Sequence, residues 1–190
     1  MVAEALKNKG NLGFQNKEYL GAATHYLHSI AIFRHFPADS DALRSEDDLV
    51  CDSEAQREEV SKLINILFLN LSQCYLETKA FENAFMASDQ AMRIDDKNLK
   101  AYYRQTRALE GMDKPESLRQ AIDCIEVGLQ YCATDQDRQR FEQIRRELMV
   151  RLDEKLGAPK RMGPAFAKAT QTLLDDAAKQ LSGAGKVCSA

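Results

Sequence analysis

Five polar side chains have residue types and spacings that suit the binding of an anion. Lys7 and Asn11 are four positions apart, so both project from one face if their segment is helical. Lys100 and Arg104 have the same spacing, and Asn70 stands alone among apolar residues. Lysine, arginine and asparagine supply hydrogen-bond donors, and a guanidinium can bind a carboxylate through two parallel bonds. If the fold brings these side chains together, they would form a cluster of hydrogen-bond donors and positive charge.

The segments around Asn70 have the periodicity of a helical hairpin. Apolar residues recur at three-to-four spacing along 66–78, which predicts one buried stripe containing Leu67, Leu71, Cys74 and Tyr75. After a short polar turn, 81–91 forms a second stripe built largely from small residues. The small side chains at Ala84 and Ala91 would let two antiparallel helices approach closely. We therefore expect Asn70 on the outer side of this hairpin.

Length and composition predict an all-α protein with a full core. The chain has 190 residues, a net charge of −3 and no tryptophan, and it has few glycines and prolines inside its long runs. The charge argues against a general nucleic-acid surface. No apolar run has membrane-spanning length, and the segment after Met1 lacks the apolar core of a signal peptide. We therefore expect no membrane partner, and a cytoplasmic or nuclear location.

No pattern in the sequence indicates catalysis, a metal or a cofactor. The cysteines show no Cys-x-x-Cys spacing, and they are Cys51, Cys74, Cys124, Cys132 and Cys188. Cys74 and Cys124 fall on apolar stripes, which favours buried thiols over ligands. His25 and His28 are three apart but have no third ligand at suitable spacing. With no nucleophile–base set and no glycine-rich phosphate loop, an enzyme is not expected.

Alanines in equivalent sequence contexts recur along the chain. Ala22, Ala84 and Ala121 are separated by 62 and then by 37 positions. These separations are about one 34-residue period plus 28, and about one period plus 3. The sequence therefore resembles three tetratricopeptide repeats, with a long insertion after the first repeat and a short one inside the third. Asp96 stands where the family usually has proline, and Ser72 and Thr106 stand where it usually has glycine.

This resemblance implies an all-α fold in which three helix-turn-helix repeats stack as a short right-handed solenoid with a C-terminal capping helix. The expected domain, 1–156, consists of repeats at about 3–36, 65–98 and 99–132, an acidic insertion at about 37–52, and a capping helix at about 135–156. We expect 157–190 to form a hinge, a short amphipathic helix and a disordered tail. The expected helices are 2–15, 18–36, 53–78, 99–111, 118–132 and 135–156, together with a partner helix after Phe81. In the first helix, the side chains expected to face inward are Ala5, Leu6, Leu12 and Phe14.

One subclass of the tetratricopeptide family carries a carboxylate clamp for the C-terminal tails of cytosolic heat-shock chaperones. Its pattern is Lys-x-x-x-Asn in the first repeat, Asn in the second and Lys-x-x-x-Arg in the third. The chain has Lys7-Asn-Lys-Gly-Asn11, Asn70 and Lys100-Ala-Tyr-Tyr-Arg104 in phase with its repeats. The resemblance implies a ligand ending in Glu-Glu-Val-Asp, with heat shock protein 90, heat shock protein 70 or both as partners.

The same resemblance implies a role for each position of the clamp. Lys7, Asn11 and Asn70 would bind the main-chain carboxylate of the tail. Lys100 and Arg104 would bind the side-chain carboxylate of its last aspartate. The sixth predicted site residue is Phe14, which would pack against the aliphatic residue of the tail.

A loop followed by a lengthened helix after the first repeat resembles the repeat domains of the large immunophilins, the prolyl isomerases of the FK506-binding and cyclophilin kinds. The chain is then either a stand-alone repeat protein or a fragment that begins after an isomerase domain, and the sequence leaves both open. The expected function is a co-chaperone or adaptor module. The alternative is a repeat scaffold whose groove binds an unrelated peptide or protein.

Overall fold

The computed structural model describes residues 2–33 and 54–157, and these segments are helical without any strand. The helices are α1 (Val2–Gln15), α2 (Tyr19–Ala31), α3 (Glu54–Glu77), α4 (Phe81–Ile94), α5 (Leu99–Met112), α6 (Pro115–Gln130) and α7 (Asp135–Lys155). The predicted all-α class is confirmed. The predictions for the acidic insertion at 37–52, for Ser53 and for 158–190 lie outside the described residues.

The helices are arranged as stacked hairpins. Helix α1 packs on α2, α3 on α4 and α5 on α6, while α2 also packs on α3 and α4 on α5. In addition, α3 contacts α5, so the first helices of neighbouring hairpins lie side by side. The described residues up to Leu152 form one compact unit, and beyond it the description covers Asp153–Gly157. None of the described helices combines the length and apolar composition needed to cross a membrane.

Small residues set the close approach between the two helices of a hairpin. Ala22, Ala84 and Ala121, the residues that define the repeat period, are fully buried. Ser72, which stands where the family usually has glycine, is also fully buried, and its hydroxyl donates to the Ala84 carbonyl oxygen at 3.0 Å. This bond between α3 and α4 satisfies the polar group that serine brings into the core.

The predicted inner face of α1 is largely wrong. Ala5 and Leu12 are exposed, and Leu6 and Phe14 are only half-buried. The buried residues of this helix are instead small, namely Ala3, Gly10 and Gly13. Apolar periodicity selects large residues, but Tyr26 and Ala22 of α2 lie so close to the α1 backbone that α1 has only small residues there.

Two helix boundaries and one core residue also differ from prediction. Helix α2 ends at Ala31, where the Phe33 N–H bonds back to the Ile30 carbonyl and tightens the last turn, and positions 34–36 of the expected helix lie outside the described residues. Helix α6 begins at Pro115 and not at position 118, since proline suits the first position of a helix. Ser117 is therefore a buried residue within the helix. Leu156, expected on the inner stripe of α7, is half exposed.

Gly10 allows the Tyr26 ring to lie against the α1 backbone. A Cβ added at Gly10 would lie 2.5 Å from Tyr26 Cε1, whereas one added at the exposed Gly21 of α2 would meet nothing within 4 Å. We therefore expect Gly10→Ala to lower the free energy of unfolding by about 1–3 kcal/mol through overpacking. Gly21→Ala is the matched control and should raise it by about 0.5–1 kcal/mol, because alanine favours helix. Urea denaturation of the two variants checks this, and equal stabilisation of both would contradict the close contact.

Candidate functional site

Three of the five predicted polar site residues meet at one cavity. Asn11 from α1, Asn70 from α3 and Arg104 from α5 line a space of about 260 Å³, which we call the clamp cavity. The remaining lining residues are Phe14, Gln15, Tyr26 and Gln73. The first helix of each hairpin thus contributes at least one polar group, because equivalent positions of stacked repeats lie near each other.

Hydrogen bonds hold the amide of Asn11 in one orientation. The Tyr26 hydroxyl donates to Asn11 Oδ1 at 2.8 Å, and Asn70 Nδ2 donates to the same oxygen at 3.3 Å. These two bonds fill the acceptor capacity of that oxygen. The Nδ2 group of Asn11, for which no described residue acts as acceptor, is therefore left to donate to a ligand.

Arg104 brings a positive charge into the clamp cavity. Its Nη1 atom is buried and has no hydrogen-bond partner among the described residues. Burial lowers the pKa of Arg104 from its ordinary value, but a guanidinium stays charged at neutral pH. A buried cation without a partner is costly, and a negatively charged ligand would remove that cost. The electrostatics of the cavity therefore favour an anion.

The two predicted lysines are not among the residues that line the clamp cavity. Lys7 lies one turn before Asn11 on α1 and is half-buried, while Lys100 lies one turn before Arg104 on α5 and is exposed. A lysine side chain is long and flexible, so each ammonium group can be brought to the rim of the cavity when a ligand is present. The structure thus groups the two amides and the guanidinium, and it leaves the two ammonium groups outside the wall.

Phe14 belongs to the wall of the clamp cavity and also packs against the edge of the hydrophobic core. It is half-buried, and its ring meets that of Tyr19 edge to face, with the centroids 5.2 Å apart. This contact fixes the ring beside the polar groups of the cavity. A ligand bound at Asn11 would therefore have an apolar surface next to it.

Sequence analysis missed Tyr26, Gln15 and Gln73 as site residues. Gln73 follows Asn70 by three positions on α3, a spacing that could have placed both side chains on one face. Tyr26 is 1% exposed, and its contact with Asn11 joins two different helices. Burial raises the pKa of Tyr26 to about 12, outweighing the opposite effects of Asn70 and Arg104 nearby, so the hydroxyl is a donor at neutral pH.

Other reactive side chains of the described segments do not form a second chemical site. Cys74 and Cys124 are buried, as expected, and burial raises the pKa of each of the thiols of Cys74 and Cys124 to about 11. Within 2–33 and 54–157, no group of three His, Cys, Asp or Glu side chains is placed to hold a metal ion. We take the clamp cavity as the candidate polar site among the described residues.

Sequence comparison relates the chain to longer proteins. No family model matches it. It is 29% identical over 175 residues to protein unc-45 homolog B of Homo sapiens, and 27% identical over 172 residues to that of Xenopus laevis. A shorter match, 25% identical over 123 residues, is to zinc finger CCCH domain-containing protein 7B of Homo sapiens. The alignments cover 92%, 90% and 65% of this chain, respectively. They span about 15% of each unc-45 homolog B and 11% of the zinc finger protein.

Structural comparison identifies the fold. The Arabidopsis OM64 TPR (tetratricopeptide repeat) domain superposes on this chain with a TM-score of 0.52 and 21% sequence identity. The match covers 77% of this chain and 93% of that domain. At this identity it informs the fold alone, and the resemblance to immunophilin repeat domains stays a prediction. The chain has the fold of a tetratricopeptide-repeat domain and is similar in sequence to a short part of unc-45 homolog B.

Proposed function

We propose that the chain is a binding module for the free C-terminal carboxylate of an acidic tail, of the Glu-Glu-Val-Asp kind that ends heat shock protein 90 and heat shock protein 70. The observation that carries this proposal is the buried Arg104 Nη1, which has no hydrogen-bond partner within 2–33 and 54–157, in a cavity shared with the amides of Asn11 and Asn70. Such a cavity offers donors and positive charge, and none of its described lining residues is acidic. This choice of tail is supported by the clamp pattern in phase with the repeats, formed by Lys7, Asn11, Asn70, Lys100 and Arg104.

The terminal residue of such a tail presents two carboxylates, and the proposed site has donors for both. Asn11 and Asn70, with Lys7 at the rim, would take the main-chain carboxylate. Arg104, with Lys100 one turn away, would take the side chain of the last aspartate. Each charge-assisted bond contributes roughly 1.5–3 kcal/mol. After the cost of ordering a flexible tail, we expect about −8 kcal/mol in total, which corresponds to micromolar affinity.

In this proposal the chain is an adaptor or co-chaperone module in the cytosol, without an enzymatic activity of its own in the described segments. A second candidate function is a scaffold that binds an unrelated peptide. It is favoured by a groove of about 500 Å³ between α2, α3 and α4, to which Leu27, Tyr75 and Met86 contribute apolar surface. Asn11, Asn70 and Arg104 are not among the residues that line that groove. Binding there would therefore not require a free carboxylate at the end of the ligand.

Calorimetric titration with a free-acid Glu-Glu-Val-Asp peptide tests the proposal. We expect micromolar affinity for this peptide, and at least tenfold weaker binding of Asp-Val-Glu-Glu, which has the same composition and net charge. Raising the salt from about 0.1 M to about 1 M shortens the Debye length from about 10 Å to about 3 Å, and it should weaken binding several-fold. Equal affinities for both peptides, or no binding of either, would refute the clamp as the function.

A further inference from the structure

Tyr26 links the packing of the first hairpin to the clamp cavity. Its ring is almost completely buried between α1 and α2, where the absence of a side chain at Gly10 makes room for it. The hydroxyl at the end of the ring reaches the cavity and donates to Asn11 Oδ1 at 2.8 Å. The side chain of a core residue, Tyr26, thus donates a hydrogen bond to Asn11, a proposed ligand-binding residue.

The orientation of the Asn11 amide decides whether it attracts or repels a carboxylate. Rotation about the last side-chain bond exchanges the amide oxygen and nitrogen, and this torsion is only weakly restricted. With the oxygen facing the ligand, two acceptors would oppose each other. In the observed orientation Tyr26 and Asn70 both donate to that oxygen, so the nitrogen is the group left for the ligand.

We infer that Tyr26 is a positioning residue of the carboxylate site, whose hydroxyl holds the Asn11 amide with Nδ2 available to the ligand. This inference rests on the proposed function, because it concerns how the same site recognises a carboxylate. It assigns a binding role to a side chain that would otherwise count as core. The hydroxyl acts through Asn11, so its effect on affinity requires the Asn11 amide.

The test is Tyr26→Phe in the full 190-residue chain, titrated with the free-acid Glu-Glu-Val-Asp peptide. Loss of one neutral hydrogen bond that orients a donor should weaken binding by about three- to tenfold. Tyr102→Phe is the matched control. Its hydroxyl is on a similarly buried ring and donates to the Asp96 carbonyl at 2.9 Å, and Tyr102 is not among the residues that line the clamp cavity. We expect a similar loss of thermal stability in both variants, with unchanged peptide affinity in Tyr102→Phe.

A double-mutant cycle with Asn11→Ala separates positioning from direct contact. Tyr26→Phe should have little further effect once the Asn11 amide is absent. An equal loss in both backgrounds would mean that the hydroxyl acts on the ligand directly, and it would overturn the inference.

Side-chain amide NMR of the ligand-free protein provides a readout that does not need the peptide. Tyr26→Phe should shift the Asn11 Nδ2 resonances, while Tyr102→Phe should leave them in place. The proposed function would be refuted, but the positioning contact kept, if Tyr26→Phe shifts the Asn11 signal and the wild-type protein does not bind the peptide. The positioning role alone would be refuted if the wild-type protein binds the peptide and Tyr26→Phe changes neither the Asn11 signal nor the peptide affinity.

Discussion

Amidation of the C-terminus of a Glu-Glu-Val-Asp peptide should weaken its binding to this chain by about 100-fold or more. The amide removes one negative charge and places two N–H donors against the donors of Asn11 and Asn70. Leaving a partly buried donor without its acceptor costs about 1–3 kcal/mol, and two such losses correspond to about 100-fold. Parallel calorimetric titrations of the acid and the amide measure this ratio directly.

A second peptide tests whether binding depends on the position of the carboxylate as well as on its charge. Adding one glycine after the aspartate keeps a free carboxylate but moves it by one residue, and we expect a comparable loss of affinity. If the acid, the amide and the extended peptide bind equally, the clamp cavity does not recognise the chain end. The apolar groove between α2, α3 and α4 would then be the better candidate for the ligand site.

Arg104→Ala should weaken binding of the free-acid peptide by at least tenfold without unfolding the domain. The guanidinium is the cation that lines the clamp cavity, and a two-point bond to a carboxylate is among the stronger polar contacts in proteins. In the ligand-free protein its buried Nη1 makes no hydrogen bond to a described residue. We therefore expect removal of the guanidinium to leave the melting temperature unchanged or to raise it.

Arg107→Ala provides the control for the change of charge. Arg107 lies three positions further along α5, is exposed, and pairs with Glu110 through Nη1 at 2.5 Å. An exposed ion pair contributes little to stability, and Arg107 does not line the clamp cavity. We expect nearly wild-type affinity in Arg107→Ala. Wild-type affinity in Arg104→Ala, with unchanged helicity, would show that the guanidinium is not part of a binding site.

The helical hairpins were predictable because their signals are local. In the predicted stripe Leu67, Leu71 and Cys74 are buried and Tyr75 is half-buried against the core, and the spaced alanines marked the equivalent close contacts. Spacing also placed Lys7 with Asn11 on one helix. The prediction failed for the inner face of α1, because the contact at Gly10 depends on the ring of Tyr26, which belongs to another helix.

The sequence by itself determined the residue types of the candidate site, their helices and the repeat phase that brings equivalent positions together. Tertiary structure alone decided that Asn11, Asn70 and Arg104 share a cavity while the two lysines lie outside its wall. It also decided that Tyr26 donates to Asn11, which is 15 positions away. The reason is physical: periodicity specifies the direction of a side chain around its own helix. The distance between side chains of different helices depends on how closely the hairpins pack.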